Sequence, residues 1–192
     1  CPSSASLPLS AGFSPAYCHG ALAGSPTTHD ERTLPCQRLA HPVVVMDDKV
    51  AREAPAATFG RALEGFGINL LVHDVARTVA FLKDVLGMHV HRADTDFAVL
   101  ESAGHFFQLH ADHTYHANPL PSLLPEAGVR GGGAELRLYG TDPDACEARA
   151  IANNYVVLRS SEDRPHGLRE CYLLDPDGYC WVPGKAIKDL PD

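Results

Sequence analysis

The residues able to do chemistry gather in two short stretches. The first is His105-Phe106-Phe107-Gln108-Leu109-His110, continuing as Ala111-Asp112-His113-Thr114-Tyr115-His116. Alternate residues of a strand share a face, so Phe106, Gln108 and His110 should point together and His105 away. Imidazole nitrogens and an amide oxygen suit a divalent metal ion, or hydrogen bonds to an organic ligand. His113 and His116 fall beyond the strand, either over the mouth of a site or as plain polar loop residues. The second stretch is Glu135-Leu136-Arg137-Leu138-Tyr139, with its three polar side chains on one face. Arg137 beside Glu135 is either an ion pair, costly in a core unless well hydrogen-bonded, or a bidentate grip on a substrate carboxylate. Glu135 in apolar surroundings would have its pKa raised, which suits a general base. Asn69 adds an amide from an earlier strand.

Positioning these groups requires a sheet. The segment His166–Val182 reads as strand, turn, strand, with Leu168–Leu174 before Asp175-Pro176-Asp177-Gly178 and Tyr179–Pro183 after it. Asp, Pro and Gly at the first, second and last positions have the chemistry of a type I turn. Pro183 is expected to stop the second strand. Upstream, Ile68–Val72 is a buried-type strand. Asp74 caps a helix with Val75, Val79, Leu82 and Leu86 on one face, and Gly87 ends it. Strands Met88–Arg92, Phe97–Glu101 and His105–His110 follow, giving β-α-β-β-β. After a polar, Pro-bearing loop the pattern restarts with Ala134–Tyr139. A helix capped by Asp142, with Pro143 at its first position, has Ala145, Ala148 and Ala152 as its packed side. Tyr155–Arg159 and the hairpin complete a second β-α-β-β-β. One constant offset lays Leu100 on Leu174, Gly104 on Gly178 and Gln108 on Val182, which marks an internal repeat. Trp181 and Phe107 have the opposite parity from Val182 and Gln108 and should pack against the helices.

The remaining features set limits. A formal net charge of -8 over 192 residues argues against a nucleic-acid or anionic-membrane partner. No apolar run spans a bilayer, and the first residues lack the n-region and h-region of a signal peptide. The expected location is cytoplasmic. None of the six cysteines forms a CxxC pair, and Cys146, Cys171 and Cys180 read as reduced core thiols. Residues 1–66 form a Pro-, Ser- and Ala-rich extension, with a short helix-tolerant stretch between Asp47 and Gly65. Residues 1–45 show no sustained period. Either Met46 lies near the native start or the extension is genuine; N-terminal sequencing of the natural protein separates the two.

Residues 67–186 resemble the vicinal oxygen chelate superfamily, which includes glyoxalase I, bleomycin-resistance proteins and extradiol dioxygenases. The resemblance rests on LLVHDVARTVAFLKDVLGM (70–88), HGLRE (166–170) and DPDGYCW (175–181). It implies an α+β fold of two βαβββ modules forming a cupped, partly open mixed β-barrel with helices outside. It implies a small organic ligand in the cup and pairing as a homodimer. Metal-binding members take ligands from the first and last strand of each module, and those positions here are Gly67, Gln108, Glu135 and Val182. Two of the four carry no ligating atom, as in antibiotic-binding members that have lost the metal. The first expectation is therefore a small-molecule-binding protein using Asn69, Gln108, His110, Glu135, Arg137 and Tyr139. The alternative is a metal-dependent lyase, isomerase or dioxygenase that holds Zn, Ni, Mn or Fe through Gln108, His110 and Glu135.

Overall fold

The computed structural model describes residues 46–125 and 128–188. The expectations about residues 1–45 lie outside the described residues. The described chain opens with two short helices, α1 (Asp48–Glu53) and α2 (Ala56–Arg61). Asp47 caps α1 by accepting from the Lys49 N–H at 2.8 Å, and Pro55, which cannot donate within a helix, separates the two.

The repeat follows. The first module is β1 (Ile68–Val72), α3 (Val75–Asp84), β2 (His89–Ala93), β3 (Phe97–Ser102) and β4 (His105–Ala111). The second is β5 (Glu135–Tyr139), α4 (Pro143–Ala152), β6 (Val156–Asp163), β7 (Leu168–Leu174) and β8 (Cys180–Ala186). Both fold into a mixed four-stranded sheet of the same order, β1-β4-β3-β2 and β5-β8-β7-β6. In each, the first strand runs parallel to the last, and the other pairings are antiparallel. Asn69 lies opposite Gln108 and Arg137 opposite Val182. The α+β architecture of two βαβββ modules is as the sequence implied, and the two sheets remain open rather than closing into one barrel. No helix among the described residues is long and apolar enough to cross a membrane.

Each sheet has a helix face and a site face. On the helix faces, Leu70, Val72, Leu100, Phe107 and Leu109 from one module join Phe81 and Leu82 of α3 and Val85 at its C-terminal end. Cys146 and Ala150 of α4, with Cys171, Leu173 and Trp181, complete the same cluster. Phe81 meets Tyr155 edge-on at 4.9 Å, and Phe107 lies 5.7 Å from Trp181. Cys146, Cys171 and Cys180 are free thiols, and burial pushes Cys171 up to about 12, so it is inert at neutral pH.

The Asp175–Gly178 turn locks the modules together. Asp175 accepts from the Asp177 and Tyr179 N–H groups and from the Trp181 indole N–H at 2.9–3.0 Å. Asp177, 2% exposed, accepts from the His73 N–H at 3.0 Å and the Thr78 hydroxyl at 3.1 Å, both in the first module. Gly178 holds φ +81, and a Cβ there would lie 2.8 Å from the Val129 Cα. Beneath it runs Arg130, 4% exposed, gripping Asp112 through two 2.6 Å bonds.

Two expectations need correction. Pro183 does not end β8, which continues to Ala186. Its missing N–H falls in a gap of the β7–β8 ladder, which resumes in the same register at Glu170–Gly184. The packed side of α4 is Pro143, Cys146 and Ala150, while Ala148 and Ala152 are exposed. Alanines on several faces blur the apolar stripe, and the Arg149 Nε–H to the Val85 carbonyl (2.7 Å) helps fix the rotation.

Candidate functional site

The site face of the first sheet is where α1 and α2 dock. Met46, Ala51 and Phe59 pack on Val99, flanked by Phe97 and Phe106. Between α1–α2 and the sheet lies a cavity of about 530 Å³, lined by Phe59, Leu63, Arg92, Phe97, Gln108 and His110 among others. Gln108 and His110 share this face, as alternation required. Burial pushes the His110 pKa down, so the ring is neutral at pH 7 and offers one donor and one acceptor. The Arg92 guanidinium stands between the Phe59 and Phe97 rings, 4.9 and 4.8 Å from their centroids. Its Nη1 donates to the Ala54 carbonyl at 3.0 Å, and its buried Nε has no hydrogen-bond partner among the described residues.

The loop beyond β4 turns back over this face. A 3₁₀ turn at Asp112–Tyr115 brings the Tyr115 ring to 5.1 Å from His110 and its hydroxyl to the Asn69 amide. The covering residue is thus Tyr115. His113 bonds Asp96 at 3.0 Å instead, and His116 is exposed.

Glu135, Arg137 and Tyr139 stand on the site face of the second sheet. Arg137 bonds Glu135 at 2.7 Å and also Glu170, whose side chain is fully covered. Burial works against the Arg137 charge, but these two carboxylates outweigh it and hold its pKa above the ordinary value. Burial also raises the Glu170 carboxyl, yet the Tyr172 hydroxyl at 3.0 Å and Arg137 hold it below the usual carboxylate range. Tyr139 is 66% exposed, with the Arg137 guanidinium 5.7 Å from its ring. Arg137 and Tyr139 line a second cavity of about 280 Å³ with Ile68, Phe107, Leu136 and Trp181. The structure therefore groups Asn69, Gln108 and His110 on one sheet, and Glu135, Arg137 and Tyr139 on the other.

Besides Tyr115 and Glu170, sequence reasoning missed Arg92, Phe59 and one cluster. Arg92 follows a bulge in β2 at Val90–Arg92. Phe59 comes from a helix that the sequence pattern showed only as helix-tolerant. The cluster of Asp48, His89 and His91 brings three ligating atoms within 4.8 Å of one another. The His-x-His spacing on one strand face was its only signal.

A profile of the glyoxalase/bleomycin resistance protein/dioxygenase superfamily matches residues 66–182, more than half of the chain. The chain belongs to that superfamily. Solved structures agree on the fold. A glyoxalase/bleomycin resistance protein/dioxygenase family enzyme from Burkholderia phytofirmans PsJN superposes with TM-score 0.53 at 17% identity, covering 63% of this chain and 97% of the other. A glyoxalase-related enzyme from Fulvimarina pelagi gives 0.52 at 18%, over 64% and 87%. A glyoxalase/bleomycin resistance protein/dioxygenase from Nocardioides gives 0.50 at 20%, over 70% and 93%. Among curated proteins, no sequence match was found.

At the four positions where the superfamily resemblance places metal ligands, this chain does not fit a metal ion. Gly67 has no side chain, and Val182 is aliphatic and 1% exposed. Of the other two, Glu135 is engaged by Arg137.

Proposed function

We infer that this superfamily member binds a small organic molecule in the cavity between α1–α2 and the site face of the first sheet. The observation that carries the reading is the cavity wall itself. Phe59, Leu63 and Phe97 supply an apolar surface, while Gln108, neutral His110 and Arg92 add polar groups to the same wall. Apolar walls with a few placed donors and acceptors are what small-molecule sites use to bind and to orient. The complementary ligand has a flat or aliphatic body and a polar group that meets Gln108 and His110. Tyr115, bonded to Asn69, flanks His110.

A thermal-shift screen of oxygenated aromatic and aliphatic compounds, run with and without divalent metals, tests the reading. Hits should bind the Gln108→Leu variant about tenfold more weakly, the worth of one hydrogen bond of about 1.4 kcal/mol. Hits whose affinity is indifferent to Gln108→Leu and to His110→Phe would place the site elsewhere.

A further inference from the structure

We propose that Asp48, His89 and His91 form a divalent metal site that pins α1 onto the edge strand β2, with Zn²⁺ the ion that fits them best. The site is distinct from the superfamily's ligand positions, and it does not depend on what occupies the cavity. His89 and His91 lie two apart on β2, so both rings leave the same face, with centroids 4.4 Å apart. The β2 bulge between Val90 and Arg92 frees His91 from the ladder and aims it at α1. Asp48, in the first turn of α1, meets the His91 Nδ1 at 2.8 Å. The exposed Arg52 Nε–H also donates to the Asp48 carboxylate at 2.9 Å, within α1.

The surroundings of His91 point to a cation. Its side chain is 4% exposed, and each ring nitrogen faces a carboxylate: Nδ1 faces Asp48, and Nε2 faces Glu101 at 2.8 Å. Two carboxylates on one imidazole call for positive charge at the ring, whether a second ring proton or a metal ion on one nitrogen. The adjacent His89 nitrogen favours the metal ion: on Nδ1 it would be shared with Asp48 and His89, while Nε2–H donates to Glu101. A carboxylate receiving the second N–H of a ligating histidine is the usual support of such sites. Two imidazoles and one carboxylate suit Zn²⁺, with a solvent molecule as fourth ligand. Tetrahedral Zn²⁺ needs its ligand atoms about 3.4 Å apart, and rotation of the exposed His89 ring closes the remaining distance. A six-residue helix is too short to persist without tertiary support. An ion fastened to the strand beneath supplies a strong additional anchor.

The test uses the full chain, free of any affinity tag and stripped with a chelator. Zn²⁺ is titrated in competition with a chromophoric chelator, and Co²⁺ is added separately for its visible spectrum. The expected result is one tight ion per chain with a tetrahedral Co²⁺ spectrum lacking thiolate charge transfer. His89→Ala and Asp48→Asn, both exposed positions whose change leaves the core intact, should each abolish tight binding. Glu101→Gln should weaken it by about 10- to 100-fold, and His116→Ala should leave it unchanged. Zn²⁺ should also slow amide exchange across residues 48–61. Wild-type affinity in both His89→Ala and Asp48→Asn would overturn the proposal, as would a thiolate band in the Co²⁺ spectrum or no tight binding at all.

Discussion

Replacing Asp177 with alanine should destabilise the protein more than any surface change. Its carboxylate is 2% exposed and accepts from the His73 backbone N–H, the His73 ring and the Thr78 hydroxyl. The Arg130 Nε lies 3.5 Å away. Thr78 is fully buried, so its hydroxyl would lose its partner with no water to replace it. A hydrogen bond to a charged acceptor contributes about 1.5–3 kcal/mol. Removing one member of a buried charged cluster costs about 3–5 kcal/mol, because the neighbours are left uncompensated. Taking 3–5 kcal/mol as the total, against about 5–15 kcal/mol for a typical domain, the variant remains folded but marginal. At about 2–4 °C per kcal/mol for a domain of this size, Tm should fall by about 6–20 °C. Thermal melts by far-ultraviolet circular dichroism, with urea melts at fixed temperature, measure it. Asp177→Asn keeps the shape without the charge and should fall between. A double-mutant cycle with Thr78→Val should show coupling of about 0.5–3 kcal/mol. A loss below about 1 kcal/mol for Asp177→Ala, or full additivity with Thr78→Val, would refute the idea that this turn ties the modules together.

Two further outcomes follow from the geometry. Gly131→Ala would place a Cβ 2.7 Å from the Tyr179 Cα, a backbone atom that cannot step aside; a loss of about 1–3 kcal/mol is expected by urea unfolding. Gly132→Ala, with nothing within 4 Å, should change stability by less than about 0.5 kcal/mol. His110 has a folded-state pKa below its ordinary value of 6.5 because burial penalises the imidazolium. The unfolded chain then binds the proton more readily, so the contribution of this group is complete above 6.5 and lost as pH falls through the folded value. Tm measured from about pH 7.5 down to 5 should fall less steeply in His110→Gln than in the wild type, and parallel curves would count against a buried His110.

Much of the scaffold was legible because local signals and tertiary demands agree. Asp74 and Asp142 cap α3 and α4 as their spacing indicated. The parity of β4 and β8 correctly sent Phe107 and Trp181 to the helix face. Failures came where tertiary context overrides a local rule. Pro183 is tolerated inside β8 because the ladder can skip one donor. The face of α4 was ambiguous because alanine is too small to mark a side. The site was less legible for a related reason. Alternation along one strand predicts which side chains share a face, and it did so for Gln108 and His110. It says nothing about what comes to lie over that face. Phe59, Arg92 and Tyr115 arrive from a short helix, a bulge and a loop, none of which has a periodic signature. Asp48 is 41 residues from His89 in sequence, so only folding brings them together.

The link from Asp177 and Tyr179 back to the first module also bears on how this duplicated architecture can change. The Tyr179 hydroxyl donates to the Leu71 carbonyl at 3.0 Å, and the Arg130 N–H bonds the Asp177 carbonyl at 3.0 Å. The residues that seal one half are thus encoded in the other half and in the connector. The two halves are no longer interchangeable parts: a chimera that swapped either for a relative's copy would inherit half of a lock without its key.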